Sequence, residues 1–147
     1  MSEITNNLST TNQLYNSYDT SKLLLGFNSF TEADHTSSGG TDFVQGEIVG
    51  QIASSGKIAK LDSGATDGSQ YPFGVVLIDQ TVEDGETETI KLVNKGKVAQ
   101  EKIVFQGSDD LTTTVGPADN LRTYKALLND LGIELEAGTE LTEFDNV

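Results

Sequence analysis

Glycine-containing turns divide residues 43–105 into short runs that are rich in Val, Ile and Thr. Such runs favour strands, and glycine supplies the turn conformations that other residues avoid. Within the first run, Gly46 and Gly50 predict a bulge or a bend. The pattern therefore predicts a mostly β fold.

Three local patterns predict how these strands are arranged. Residues 48–61 alternate around a Ser-Ser-Gly turn, which predicts a hairpin with Ile58 and Leu61 in the core. Residues 73–78 are apolar on both faces, which is typical of a buried strand. A second hairpin is predicted around the turn-forming residues Asn94–Gly96.

One short helix is predicted near the C-terminal end of the chain, followed by a short strand at 133–135. Pro117 suits its first turn, and Asp119 or Asn120 would cap it. Gly132 stands where a helix-ending glycine belongs. The apolar residues at helical spacing are Leu121, Tyr124, Leu127 or Leu128, and Leu131.

Composition divides the chain into three parts. Residues 1–20 are rich in Ser, Thr and Asn, which predicts an arm that is mobile in the free protein. Its spaced apolar residues could anchor it on a partner, although a tail without a role has the same composition. Residues 21–136 are expected to form a single domain, and residues 137–147 an exposed acidic tail. Within the domain, Leu23–Phe27 could be a core strand or a docking patch, and periodicity does not decide between them.

The charge balance limits the possible partners. The 147 residues include 9 Lys and Arg against 23 Asp and Glu, a net charge of −14. Such a chain repels nucleic-acid phosphates and anionic membrane surfaces, so neither is expected as a partner. The longest purely apolar run, Leu23–Leu25, is far short of the ~20 residues of a membrane span. The first residues lack a signal-peptide pattern, and we expect synthesis in the cytoplasm.

The candidate catalytic and metal-binding patterns in the sequence lack residues or spacings that such sites require. The chain has no Cys, and a Ser-His-Asp triad would depend on the single histidine, His35, which is predicted to lie in a polar loop. The acidic turn 62–70 lacks the ligand spacing of a calcium loop, so Asp67 is interpreted as turn chemistry. The segment 50–58 lacks the spacing of a phosphate loop, and Lys57 lacks the neighbouring acid of a swinging-arm lysine. We therefore expect no enzyme activity, no metal and no cofactor.

The order of several short motifs resembles that of the phage-lambda-type head decoration proteins. The resemblance covers roughly residues 33–136. It is carried by the strand Gly46–Ile52, the turn Ser55–Ile58, the turn Asp62–Gln70 and the strand Gly74–Leu77, flanked by His35-Thr36 with Gly39-Gly40 and by Arg122-Thr123 with Gly132-Ile133. The residues before His35 are more numerous than in the family arm, and residues 137–147 resemble an addition.

The resemblance implies a β-clip fold with a small helix and no cofactor. It also implies homotrimers on the outside of the mature expanded capsid, bound to the major capsid protein and stabilising the shell against packaged DNA. In the family the arm adds to capsid-protein strands. The residues expected to contact the capsid are Ile4, Leu8, Leu14, Tyr15, Tyr18, Leu23, Leu24 and Phe27. The alternatives are a small β-rich tail or fibre module of a virion and, from a different class, an enzyme or ligand-binding domain.

Overall fold

A computed structural model of the chain describes residues 23–26 and 28–136. The mostly β fold with one short helix near the C-terminal end is confirmed, while the predicted arm and acidic tail lie outside the described residues. No helix in the described part is long and apolar enough to cross a membrane. The elements are β1 (Ser29–Thr36), β2 (Thr41–Phe43), β3 (Ile48–Gln51), β4 (Ile58–Lys60), β5 (Pro72–Val76), β6 (Gln80–Val82), β7 (Thr87–Ala99), a 3₁₀ turn (Gln100–Lys102), β8 (Thr114–Val115), β9 (Arg122–Thr123), α1 (Tyr124–Leu131) and β10 (Ile133–Glu136).

The main sheet has the strand order β1-β7-β5-β3-β4, with all neighbours antiparallel, and β10 pairs in parallel with the last part of β7. Two short ladders, β2–β6 and β8–β9, lie outside it. The predicted β3–β4 hairpin is confirmed, and so is the bulge, which lies between Val49 and Gly50. Ile58 and Leu61 are fully buried, as predicted.

Two hydrophobic cores lie on the two faces of this sheet. Because side chains alternate along a strand, neighbours such as Val75 and Val76 enter different cores. This double burial explains the continuous apolar run in β5. The helix-side core contains Leu23, Ile48, Leu61, Val75, Val93, Val98, Val115, Tyr124, Leu128 and Ile133. The ladder-side core contains Phe43, Val49, Ile58, Val76, Val82, Ile90 and Leu92.

The hairpin predicted around Asn94–Gly96 is wrong. The chain continues there as a single strand of 13 residues, β7. Gly96 has a φ of +127°, and a Cβ on it would lie 2.8 Å from the Cα of Asn28. The glycine therefore permits the close approach of another backbone instead of a turn.

Residues 29–36 form a strand, so His35 does not lie in the polar loop that was predicted around it. β1 runs antiparallel to β7, from Ser29 opposite Lys95 to Thr36 opposite Thr87. Its half-buried positions are Thr31, Ala33 and His35, which alternate with exposed residues. Two of these three inward residues are polar, so the alternation in hydrophobicity was too weak to indicate a strand.

His35 joins the two edge strands of the sheet. Its Nδ1 lies 2.7 Å from the carbonyl oxygen of Ile58 in β4 and donates to it, since a carbonyl only accepts. Its Nε2 lies 3.0 Å from Thr41 Oγ1, and the ring packs edge-on against Phe43 at a centroid distance of 4.9 Å. The sheet therefore curls until β1 and β4 meet, and His35 is a strand residue with both nitrogens engaged.

The helix begins later than predicted. Thr123 caps it, because its Oγ1 accepts a hydrogen bond from Ala126 N at 3.2 Å. Pro117 instead belongs to a turn that Asn120 N closes, and Leu121 is 54% exposed before the helix starts. The predicted C-terminal glycine, Gly132, is confirmed in the left-handed conformation, as is the short strand after it.

Candidate functional site

The first described residues pair with the last part of β7. Leu25 N donates to Lys97 O at 3.1 Å, and Ala99 N donates to Leu23 O at 2.8 Å. These bonds make the segment antiparallel to β7, with Leu24 opposite Val98. In such a pair the N–H and C=O of Leu24 point away from β7.

β10 lies along the other flank of the same part of β7. It is parallel, with Ile133 opposite Gly96 and Glu136 opposite Ala99. Leu23 and Glu136 therefore flank Ala99 on opposite sides, about 10 Å apart across two strand spacings. We call this region, made of residues 23–25, 96–99 and 133–136, the terminal end.

The residues predicted to contact a capsid fall into two groups. Ile4, Leu8, Leu14, Tyr15, Tyr18 and Phe27 lie outside the described residues. Leu24 is half-buried, but Leu23 is fully buried in the helix-side core. Its side chain is thus held by this chain's own fold and is not available to a partner surface.

The opposite end of β7 is acidic. The turn before Thr87 packs on the loop after β1, where Gly85 N donates to Ser37 O at 2.9 Å and Gly39 N to Asp84 Oδ1 at 2.7 Å. We call this region the acidic end, after its exposed residues Glu83, Asp84, Glu86 and Glu88. It is separated from Ala99 by a strand of roughly 40 Å.

Open grooves on the surface of the domain include one beside Phe30 and one beside α1. One, of about 510 Å³, is lined by Phe30, Thr31, Glu32, Leu77 and Lys91, and Phe30 is 53% exposed. Sequence reasoning missed this exposed aromatic residue, because a bulge after Ser29 sets its direction. The other groove, of about 400 Å³, lies between α1 and β10.

The acidic turns are held by their own hydrogen bonds. Asp67 Oδ1 accepts from Ser69 N at 3.0 Å and from Ser69 Oγ at 2.6 Å, and these bonds lower the pKa of Asp67. Thr112 lowers the pKa of Asp110 in the same way. The interpretation of Asp67 as turn chemistry is confirmed. Among the described residues, no group of three His, Cys, Asp or Glu could hold a metal ion.

Tyr124 fastens the helix to the loop 62–70. Its hydroxyl donates to Gln70 O at 2.9 Å. Burial raises its pKa, and the nearby carboxylates of Asp109 and Asp62 add to this effect. The phenol is therefore neutral at physiological pH and serves as a buried hydrogen-bond donor.

A comparison with known families matches residues 21–120 to the model of the bacteriophage lambda head decoration protein D. The chain belongs to this family. No curated protein matches the chain.

The family match covers only part of the terminal end, since it includes residues 23–25 and 96–99 but not 133–136. It begins at residue 21, so the segment that pairs with β7 lies inside the range, although the sequence suggested that it departs from the family. It stops at residue 120, before α1 and β10. Membership makes this protein a structural component of a phage head. The second strand at its terminal end, β10, lies beyond the matched residues.

Proposed function

We propose that this decoration protein binds as homotrimers to the major capsid protein on the outside of the mature, expanded head. It stabilises the shell against the pressure of packaged DNA. The proposal rests on the family match and on the direction of the main chain at the terminal end.

The observation that carries the binding mode is the backbone at Leu24. Its N–H and C=O are directed away from β7, so a second strand can pair with this segment from the outside. Residues 1–20 continue the chain from this point. Strand addition of this kind obtains affinity from main-chain hydrogen bonds and register from side-chain pockets. Ile4, Leu8, Leu14, Tyr15, Tyr18, Leu24 and Phe27 remain the predicted contacts.

Trimers would convert weak contacts into strong binding. Each trimer places three arms on neighbouring capsid subunits, and each arm that binds raises the effective concentration of the others. Binding to the expanded lattice alone would stabilise that state by mass action. The acidic end would then face away from the shell.

Co-sedimentation with undecorated shells tests the proposal. The full chain is mixed with expanded and with unexpanded shells, and bound protein is counted per three-fold position. We expect saturable binding to expanded shells only, at three copies per position. Protein that remains in the supernatant with both would refute the decoration role and favour a tail or fibre module.

Deleting the arm tests whether it contributes to shell binding without contributing to the stability of the domain. Deleting residues 1–20 should weaken shell binding and leave the melting temperature unchanged, because the described core begins at Leu23. Substituting Glu83→Gln at the acidic end is the matched control and should leave binding unchanged. An unchanged affinity after the deletion would remove the arm from the mechanism.

A further inference from the structure

The outer edge of β10 is open. Gly96 N donates to Gly132 O at 2.9 Å, and Ile133 lies opposite Gly96. In a parallel pair, alternate residues direct both of their main-chain groups to the same neighbour, so Glu134 bonds to β7 while the N–H and C=O of Leu135 point away from it. Among the described residues, no strand pairs with β10 on that outer side.

The groove between α1 and β10 follows this edge. Three consecutive residues of β10, Ile133–Leu135, line it together with Ala126 and Asn129 of α1. Side chains alternate between the two faces of a strand, so three consecutive residues share one groove where that groove runs along the backbone edge. The groove, of about 400 Å³, therefore has a free strand edge as one wall and a helix as the other.

The main chain at this edge defines the chemistry of a ligand. A free donor and a free acceptor on a strand are matched by a second extended backbone, which binds by strand addition. Ala126 contributes only a methyl group to the opposite wall, which leaves room for the side chains of an added strand. The groove thus fits an extended polypeptide segment.

We propose that β10 binds an extended segment of the major capsid protein along its outer edge, against α1. This proposal rests on the proposed function, which turns the terminal end toward the shell. Residues 23–25 form the other flank of the same end, so strands added to both flanks would lie four strand spacings apart, about 19 Å. One copy would then hold two capsid segments at once, and binding of the first would raise the effective concentration of the second.

The charges of this protein oppose the occupants that it could supply itself. Two copies that pair their β10 strands antiparallel around Leu135 would place Glu134 opposite Glu136, and like charges in that position are destabilising. Residues 1–20 contain acidic residues but no Lys or Arg, so they cannot neutralise the exposed Glu134. Neither restriction applies to a segment of another head protein, and membership in the decoration family places this chain on a phage head.

Hydrogen exchange at single amides tests the occupant. The full chain is measured free and bound to expanded shells, by mass spectrometry with fragmentation that separates the amides of Glu134 and Leu135. The Glu134 amide, which bonds to β7, is the internal reference and should exchange slowly in both samples. We expect the shell to slow exchange at Leu135 by at least about tenfold.

Two exchange results would overturn the proposal while leaving decoration intact. One is equal, fast exchange at Leu135 in the free and the bound chain, which would leave the edge open on the shell. The other is slow exchange at Leu135 in the free chain, because this protein would then cover the edge itself. Failure of the full chain to bind shells would overturn the proposed function together with this proposal.

A matched pair of substitutions tests the groove. Asn129→Trp fills it from α1, and Asn120→Trp makes the same exchange at an exposed position outside it. Both side chains are exposed, so both variants should keep the melting temperature of the natural chain. We expect Asn129→Trp to bind expanded shells at least about tenfold more weakly, as when one of two linked contacts is lost, and Asn120→Trp to bind normally. Equal affinity of the two variants would contradict the proposal.

Discussion

A methyl group added at Gly96 would push residues 23–28 away from β7, because the backbone of Asn28 lies directly against this glycine. In Gly96→Ala, the new Cβ would lie 2.8 Å from the Cα of Asn28. Carbon atoms pack at ~3.5–4.0 Å, and the neighbour is backbone, which cannot rotate away. We expect residues 23–28 to shift off the flank of β7.

The cost has two parts. A left-handed φ costs an L residue about 1–2 kcal/mol, and alanine recovers about 0.4–1 kcal/mol by restricting the unfolded chain. The overlap with Asn28 adds about 1–3 kcal/mol, the usual range for overpacking. The unfolding free energy should therefore fall by about 3 kcal/mol, a loss of about 12 °C in melting temperature for a domain of this size.

Gly85→Ala separates these two parts. Gly85 has a φ of +82°, and a Cβ there would meet nothing within 4 Å. This control should lose only about 1 kcal/mol, or about 4 °C, in the same thermal melt followed by circular dichroism. If the two variants melt together, the close approach of Asn28 to β7 does not constrain the fold, and the account of Gly96 is wrong.

Three further substitutions test the contacts that hold the domain. His35→Ala leaves the Ile58 carbonyl without its donor and should lower the unfolding free energy by about 2–3 kcal/mol in urea, with shell binding retained below the transition. Thr123→Ala removes the helix cap and should cost about 1 kcal/mol by the same measurement. Asp67 has a lowered pKa, so its stabilising effect is present above the unfolded-state value of ~3.9 and is lost as pH falls through the folded-state value. Asp67→Asn should therefore flatten the fall in melting temperature between about pH 5 and pH 2, and a parallel curve would contradict this reasoning.

Local signals were sufficient where both partners of a pair are close in sequence. The β3–β4 hairpin follows from a turn and an alternation within 48–61, and the buried positions Ile58 and Leu61 follow from the same pattern. Gly132 ends the helix because it adopts a left-handed conformation, which glycine favours whatever its neighbours are. These features need no knowledge of the rest of the chain.

Local sequence patterns did not predict the pairing between strands that are distant in sequence. Asn94–Gly96 has the composition of a turn, but β1 and β10 pair along this stretch and keep it extended. Tertiary pairing thus overrides local turn preference. The strand β1 was missed because its inward side includes His35, whose ring forms hydrogen bonds with Ile58 in β4 and Thr41 in β2 that no local pattern indicates.

The candidate site was predictable only in part. Composition predicts that residues 1–20 are a separate segment, and the spacing of its apolar residues predicts contacts, but both predictions lie outside the described residues. That Leu23 belongs to the core, and that Glu136 lies beside Ala99, both depend on strand direction. A sequence of four residues that can form a strand does not reveal whether it pairs in parallel or antiparallel.

The flanking of Gly96–Ala99 by two distant segments also sets an order of events during synthesis. A domain emerges from the ribosome with its N-terminal part first, and β10 is the last described strand to appear. Until it does, Val98 and Leu23 lack the cover of Ile133, and one flank of β7 is an open edge. The nascent protein therefore completes its terminal end only after β10 has emerged, and until then that edge of β7 is not protected from aggregation.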